Sequence, residues 1–103
     1  MIALMTSSGS PYARFRRALE IGRLPMVRAT AAELSKVGLA DALAILELIA
    51  AQDPEHYPPA AARFLRRLGA ERRLTLEQQR RALAALELLP AEPRTVSVLR
   101  RLV

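Results

Sequence analysis

The chain has 103 residues, a hydrophobic fraction of 51% with only 4% aromatic residues, and a formal net charge of +6. That length is one domain's worth and suffices to bury roughly two thirds of the unfolded surface without covalent staples. With no Cys, disulfides, thiolate metal sites and thiol catalysis are excluded, and no apolar run reaches the roughly 20 residues that a membrane-spanning helix needs.

The opening MIALMTSSGS lacks the basic start and the apolar length of a secretory signal. Residues 1–10 are expected to form a flexible tail ahead of a single helical domain over 11–103. Ser10-Pro11 then reads as an N-cap followed by proline at the first helical position. This first helix is expected from Pro11 to Ile21, with Tyr12, Phe15, Ala18 and Leu19 inward and Gly22 as its left-handed stop. A second helix is expected over about Pro25–Val37, carrying Met26, Ala29, Leu34 and Val37 towards the core, and Gly38 breaks it.

The third stretch, Leu39–Ala51, is apolar almost all the way round, with Asp41 and Glu47 its only charges. Leu39, Leu43, Leu46 and Ala50 form one helical stripe. Ala40, Ala44 and Ala51 form the next, which would admit a close neighbour. So little polar surface places this helix inside a helical assembly.

Asp53-Pro54 is a second cap-and-proline pair, but it begins only a short turn because Pro58-Pro59 follows at once. Pro58 disfavours helix at Tyr57, so the fourth helix is expected from Pro59 to Arg72, with Ala61, Phe64, Leu65 and Leu68 inward. Gly69 costs about 1 kcal/mol there relative to Ala and favours an early end. Thr75-Leu-Glu-Gln78 is a capping-box signature. It opens a fifth helix, Leu76–Leu89, with Leu76, Ala82, Leu83 and Leu86 inward. Pro90 and Pro93 close it, and a sixth helix over Pro93–Leu102 carries Val96, Leu99 and Leu102/Val103. The fold class is therefore all-α: five or six helices in an antiparallel bundle or a short helical-hairpin stack. A core of Leu and Ala with few large side chains specifies its packing weakly.

Residues 42–48 (ALAILEL) and 82–88 (ALAALEL) agree at six of seven positions, and an acid-Pro pair follows each. An offset of 40 residues is the spacing of helical-hairpin repeats, but Ala and Leu are so common here that the match is cheap.

Catalytic signals are sparse. His56, the single histidine, sits in a proline-rich turn with only Asp53 and Glu55 near it in sequence. A general base or metal ligand needs more partners than that. Its neighbour Tyr57 is expected to pack under the turn. The carboxylates fall at caps, surface positions and ion-pair spacings, Glu77 standing four residues before Arg81. No glycine-rich loop exists. The expectation is no enzyme, no cofactor, no metal site and no small-molecule substrate.

The arginines carry the functional colour. Fifteen of the 16 basic residues are Arg, and Arg63, Arg66, Arg67, Arg72, Arg73, Arg80 and Arg81 crowd one stretch with only Glu71 and Glu77 to oppose them. A guanidinium-rich face binds phosphate or carboxylate. A GC-rich genome, which inflates Arg, Ala and Leu together, explains the same composition and is favoured. Glu71 can pair with Arg67, and Glu77 with Arg80 or Arg81. No aromatic residues interleave to stack bases. Read as a helix-turn-helix, the segment would offer a core helix where a groove-reading helix belongs.

The runs Phe15-Arg16-Arg17-Ala18-Leu19-Glu20, Ala31-Ala32-Glu33-Leu34, Leu39-Ala40-Asp41-Ala42-Leu43 and Ala62-Arg63-Phe64-Leu65 resemble a group of uncharacterised small helical proteins of high-GC actinobacteria. The resemblance spans about Phe15 to Leu89. It implies an all-helical fold and a bacterial cytoplasmic setting, and it carries over no activity and no functional residues. The expected function is a non-enzymatic interaction or scaffold module with a protein partner or a second copy of itself. The alternative is a basic module that binds nucleic acid through the seven arginines.

Overall fold

The structure is a computed structural model that describes residues 9–103. Residues 1–8 of the expected tail lie outside the described residues. All secondary structure among the described residues is helical: α1 (Pro11–Ile21), α2 (Leu24–Ala31), α3 (Leu39–Gln52), α4 (Tyr57–Glu71), α5 (Leu76–Leu88) and α6 (Val96–Arg100). Tight three-residue turns, Pro54–His56 and Pro93–Thr95, precede α4 and α6. Contacts divide the chain into two units, Met1–Val37 and Gly38–Val103.

In the first unit α1 packs against α2. The Ala13 N–H donates to Ser10 Oγ at 3.0 Å, capping α1 where the Ser-Pro pair places its start. Gly22 ends it at φ 80°, and its N–H closes on the Ala18 carbonyl at 2.9 Å. Only glycine takes that backbone without strain. Phe15 and Ala18 are buried, but Tyr12 is exposed, correcting its expected place in the core stripe. Its ring instead lies beside Phe15, centroids 6.1 Å apart.

The second helix begins one residue earlier than expected and stops at Ala31, six residues short of Val37. Thr30 gives the reason. Its hydroxyl donates back to the carbonyls of Met26 and Val27 at 2.9 and 3.1 Å, which competes with helix continuation. Tight bonds then finish the turn, from Glu33 N–H to the Thr30 carbonyl and from Leu34 N–H to the Ala31 carbonyl. The inward face also differs from the expected one, because packing on α1 and not the local sequence decides it. Leu24 and Val27 are buried, while Met26 and Ala29, expected inward, are exposed.

The second unit is a small helical bundle. Both α3 and α5 contact α4 and α6, so the four helices close on one another. Leu39, Leu43, Leu46 and Ile49 of α3 are buried, and every residue from Asp41 to Ala50 is at least half-covered. The expected alanine stripe is not the close-packing face, because Ala40 and Ala51 are exposed. The buried alanines of this unit are instead Ala60 and Ala61 on α4 and Ala82 and Ala85 on α5.

Asp53-Pro54 opens the short turn as expected, and α4 then begins at Tyr57 rather than Pro59. Tyr57 adopts helical φ −64°, ψ −50° despite the following proline. Pro58 and Pro59 occupy the first turn, where a missing N–H costs nothing. Burial of the Tyr57 ring, only 6% exposed, outweighs the local preference. The helix runs through Gly69 to Glu71 instead of ending early.

The capping box of α5 is complete. The Gln78 N–H donates to Thr75 Oγ1 at 3.1 Å, and the Thr75 N–H donates to Gln78 Oε1 at 2.8 Å. The buried stripe is Ala82, Ala85, Leu86 and Leu89, spaced i, i+3, i+4, i+7. Leu76 and Leu83, expected inward, are 64% and 48% exposed. In α6, Val96 and Leu99 are buried, and Leu102 and Val103 beyond it are half-buried.

Candidate interaction surface

Arg63, Arg66 and Arg67 lie on α4, Arg72 and Arg73 in the connection that follows, and Arg80 and Arg81 on α5. Arg67 Nε donates to Glu71 Oε2 at 2.7 Å, one turn along the helix. Arg81 Nε donates to Glu77 Oε2 at 3.3 Å, where both side chains are about two thirds exposed, so the pair contributes little stability. Arg72 works on the main chain: it donates to the Glu71 carbonyl at 3.1 Å and to the Val103 carbonyl at 2.9 Å. It thereby ties the α4–α5 connection to the segment after α6. Arg63, Arg66, Arg73 and Arg80 are exposed and form no ion pair among the described residues.

The arginines do not form one uniform face. Arg63, Arg66 and Arg67 share a side of α4 by their i, i+3, i+4 spacing. On α5, successive residues point about 100° apart, so Arg80 and Arg81 look different ways. Arg81 shares its side with Glu77 and Leu88. Arg80 lies between Leu76 and Leu83, one turn from each, on the side that carries those two exposed leucines, while the equally exposed Leu88 lies on the side of Arg81.

The Leu83 side opens on a groove of about 450 Å³ between α4 and α5. Pro58, Ala61, Ala62 and Leu65 form one wall, Leu83, Leu86 and Glu87 the other, and Tyr57 and Pro90 close one end. The groove exists because α5 meets α4 less extensively than α3 does. Leu65 is left half-covered and Leu83 half-exposed across the gap.

Tyr57 fixes the closed end. Its hydroxyl donates to the Leu86 carbonyl at 2.5 Å. In an uninterrupted helix that carbonyl would receive the N–H four residues on, but Pro90 stands there and has none. The tyrosine thus satisfies a carbonyl that the proline orphans. Burial of the phenol pushes its pKa from 10.0 up to about 12, because the anion would lose its hydration. Sequence reasoning placed Tyr57 under the turn but missed this bond. The Leu86–Pro90 spacing was the available signal.

The remaining polar groups are dispersed. His56 Nδ1 lies 2.8 Å from Asp53 Oδ1 in the exposed turn. Glu33 pairs with Arg14, which also donates to the Gly9 carbonyl, and Glu47 pairs with Arg100 at 3.5 Å. No three His, Asp or Glu side chains among the described residues gather closely enough to hold a metal ion. A depression of about 360 Å³ in the first unit is lined by Arg14, Arg17, Ile21, Met26 and Thr30. Another of about 300 Å³ lies between the C-terminal ends of α3 and α5.

Compared with known proteins, the chain matches no family model, no curated protein and no solved structure. Among the described residues, no helix is long and apolar enough to cross a membrane.

Proposed function

We propose that this protein is a non-enzymatic interaction module that works in the bacterial cytoplasm and takes a protein partner on its α4–α5 face. The observation that carries this reading is the open apolar groove, with Leu83 half-exposed on its wall and Leu76 more exposed two turns away on the same side. Scattered exposed leucines are ordinary on a surface. A concave apolar strip between two rigid helices is a place where a partner's side chains can be desolvated. Pairing of Glu33, Glu47, Glu71 and Glu77 with arginines supports the same reading, since acid–base chemistry calls for converging carboxylates rather than neutralised ones.

The test is a pull-down from nuclease-treated bacterial lysate with wild type and with Leu83→Ser, a change at a half-exposed position that leaves the core intact. A protein retained by wild type and lost with Leu83→Ser supports the reading. Equal recovery by both moves the function away from this groove.

A second reading, a basic module that binds nucleic acid, draws on Arg63, Arg66, Arg73 and Arg80, which have no carboxylate partner among the described residues. Binding of that kind would be independent of sequence and would collapse as salt rises. Anisotropy with unrelated duplexes at two salt concentrations measures it. Submicromolar affinity near physiological salt, abolished by Arg66→Ala/Arg67→Ala, would place this reading first.

A further inference from the structure

We propose that the seam between α1 and α2 is a binding site for a small amphiphilic anion, with an oxyanion head on Arg17 and an alkyl tail on Ile21 and Met26. The site lies in the first unit and does not rest on the interaction reading above. Its depression of about 360 Å³ falls within the range of small-molecule sites, about 300–1,000 Å³. Arg14, Arg17, Ala18 and Ile21 of α1 line it, with Met26 and Thr30 of α2 opposite.

The lining is sorted along the seam. Arg14, Arg17 and Ile21 follow at i, i+3 and i+7 on one side of α1, and Met26 and Thr30 at i and i+4 on α2. Arg14 Nη2 donates to Glu33 Oε1 at 2.5 Å, which sets the start of α1 beside the segment just past α2. The two helices therefore run antiparallel. Arg14 and Thr30 stand at one end of the depression, Ile21 and Met26 at the other beside the Gly22 turn, and Arg17 between. A matching occupant is charged at one end and apolar at the other. Ile21 lies about 6 Å along the helix from Arg17 and about 10 Å from Arg14, the length of a short alkyl chain.

The sign of the head follows from the same residues. Both charged side chains of the lining are arginines, and no carboxylate among the described residues joins them. Arg14 is already committed, to Glu33 and to the Gly9 carbonyl. Arg17 is exposed and forms no ion pair among the described residues, so its planar fork is open to a carboxylate or a phosphate. Thr30 gives its hydroxyl proton to the Met26 and Val27 carbonyls and brings no donor, which leaves the head to Arg17. Ile21 and Met26 are 53% and 39% exposed, and a tail laid over them takes that apolar surface out of water. The α4–α5 groove fits this ligand less well, because its charged lining residue is Glu87. A nucleic-acid backbone would answer Arg17 but leave Ile21 and Met26 wet.

The experiment is an NMR titration of the isotope-labelled full chain near physiological salt. The probes are octanoate, octyl phosphate, octanol and octylammonium, with vesicles of anionic phospholipid as a separate arm. The expected result is that an octyl oxyanion shifts amides between Ala13 and Thr30 and binds at least about tenfold more tightly than octanol or octylammonium. Whichever of octanoate and octyl phosphate binds more tightly identifies the head and supports the site. Arg17→Ala should remove the preference over octanol, Arg17→Lys should keep part of it, and Met26→Ser should weaken octanoate and octanol alike. Circular dichroism confirms that these exposed-position variants remain folded. Equal binding of octylammonium, a preference that survives Arg17→Ala, shifts centred on Leu83 and Leu86, or no binding of any octyl probe would each overturn the proposal. Vesicle binding without binding of the free octyl anions would overturn it in favour of a lipid surface. None of these failures touches the α4–α5 reading, which is tested through Leu83.

Discussion

Helices α3 and α5 share six of seven residues over 42–48 and 82–88, yet they live in different surroundings. Leu43 is 1% exposed and its sequence counterpart Leu83 is 48% exposed. Leu46 and Leu86 are both buried, as are Ile49 and Leu89. The two helices therefore agree at one end of the motif and part at the other. Local sequence makes both segments helical, while the neighbours decide which stripe turns inward. Packing on α4 is extensive for α3 and slight for α5. The compensation is local: α5 begins with a full capping box, whereas α3 begins at Gly38 with no side-chain cap. A helix with less tertiary cover carries more of its own stability at its ends.

The paired substitutions Leu43→Ala and Leu83→Ala test this comparison with the largest expected difference. At Leu43 the change removes a buried side chain and leaves a cavity, so it should cost about 2–5 kcal/mol. At Leu83 the same change, in nearly the same local sequence, should stay within about 0.5 kcal/mol. Urea midpoints of the two variants measure it. Equal losses would mean that both leucines are core and that the groove is closed in solution.

Tyr57 offers the next effect, because its hydrogen bond belongs to α5 and to no part of α3. The folded protein holds the phenol neutral up to about pH 12, while the unfolded chain ionises it near 10. Between these values the folded state binds the extra proton. Its contribution is thus present in full below about pH 10 and is lost as pH rises towards 12. The integrated loss is about 2–3 kcal/mol. Stability of wild type should fall more steeply over that window than stability of Tyr57→Phe. Parallel pH profiles would mean that the hydroxyl is hydrated and the Leu86 carbonyl is bonded elsewhere.

What the sequence made legible follows the same division. Caps and stops were readable because each is a local device: Ser10-Pro11, Gly22 and the Thr75/Gln78 box all act within one turn, whereas Asp53 starts the short turn without a side-chain cap bond, its carboxylate lying against His56 instead. The all-helical class and the burial of Leu39, Leu43 and Leu46 were readable from periodicity. Facing was not readable where two stripes compete. Leu76-Leu83 and Ala82-Ala85-Leu86-Leu89 are both helical stripes, and the expectation mixed them, taking Ala82 and Leu86 correctly and Leu76 and Leu83 wrongly. The stripe with the small residues is the one that turned inward, a choice made by the neighbouring helices and not by α5 alone. The groove was illegible for the same reason, since it is set by how α4 and α5 meet. The early end of α2 was half-legible: Thr30 carries a hydroxyl able to bond back, but its partners appear only once the turn is built.

The single difference between the two motifs sharpens the comparison. Position 45 is Ile and half-covered, while position 85 is Ala and 4% exposed. Ala85→Ile would make α5 identical to α3 over the motif. It should nevertheless destabilise by about 1–3 kcal/mol, because the added atoms must enter a packed face. A neutral or stabilising result would show that α5 can turn to the α3 facing and bury Leu83.

The smallest effects concern the two helix starts. Thr75→Ala removes the acceptor of the Gln78 N–H and should cost about 1 kcal/mol, with Thr75→Ser nearly silent. Gly38 is extended, at φ −69° and ψ 164°, and a side chain built there meets no atom within 4 Å. Gly38→Ser can therefore supply the cap that α3 lacks, and a gain of only a few tenths of a kcal/mol is expected, since Gly is itself a tolerated N-cap. Chemical denaturation of the three variants decides the matter. The order of effects is the test: α5 should lose more from losing its cap than α3 gains from acquiring one. The α3 boundary is already held by Leu39 and Leu43, buried within its first turn and a half, whereas at the start of α5 Leu76 faces water and the box stands without that support.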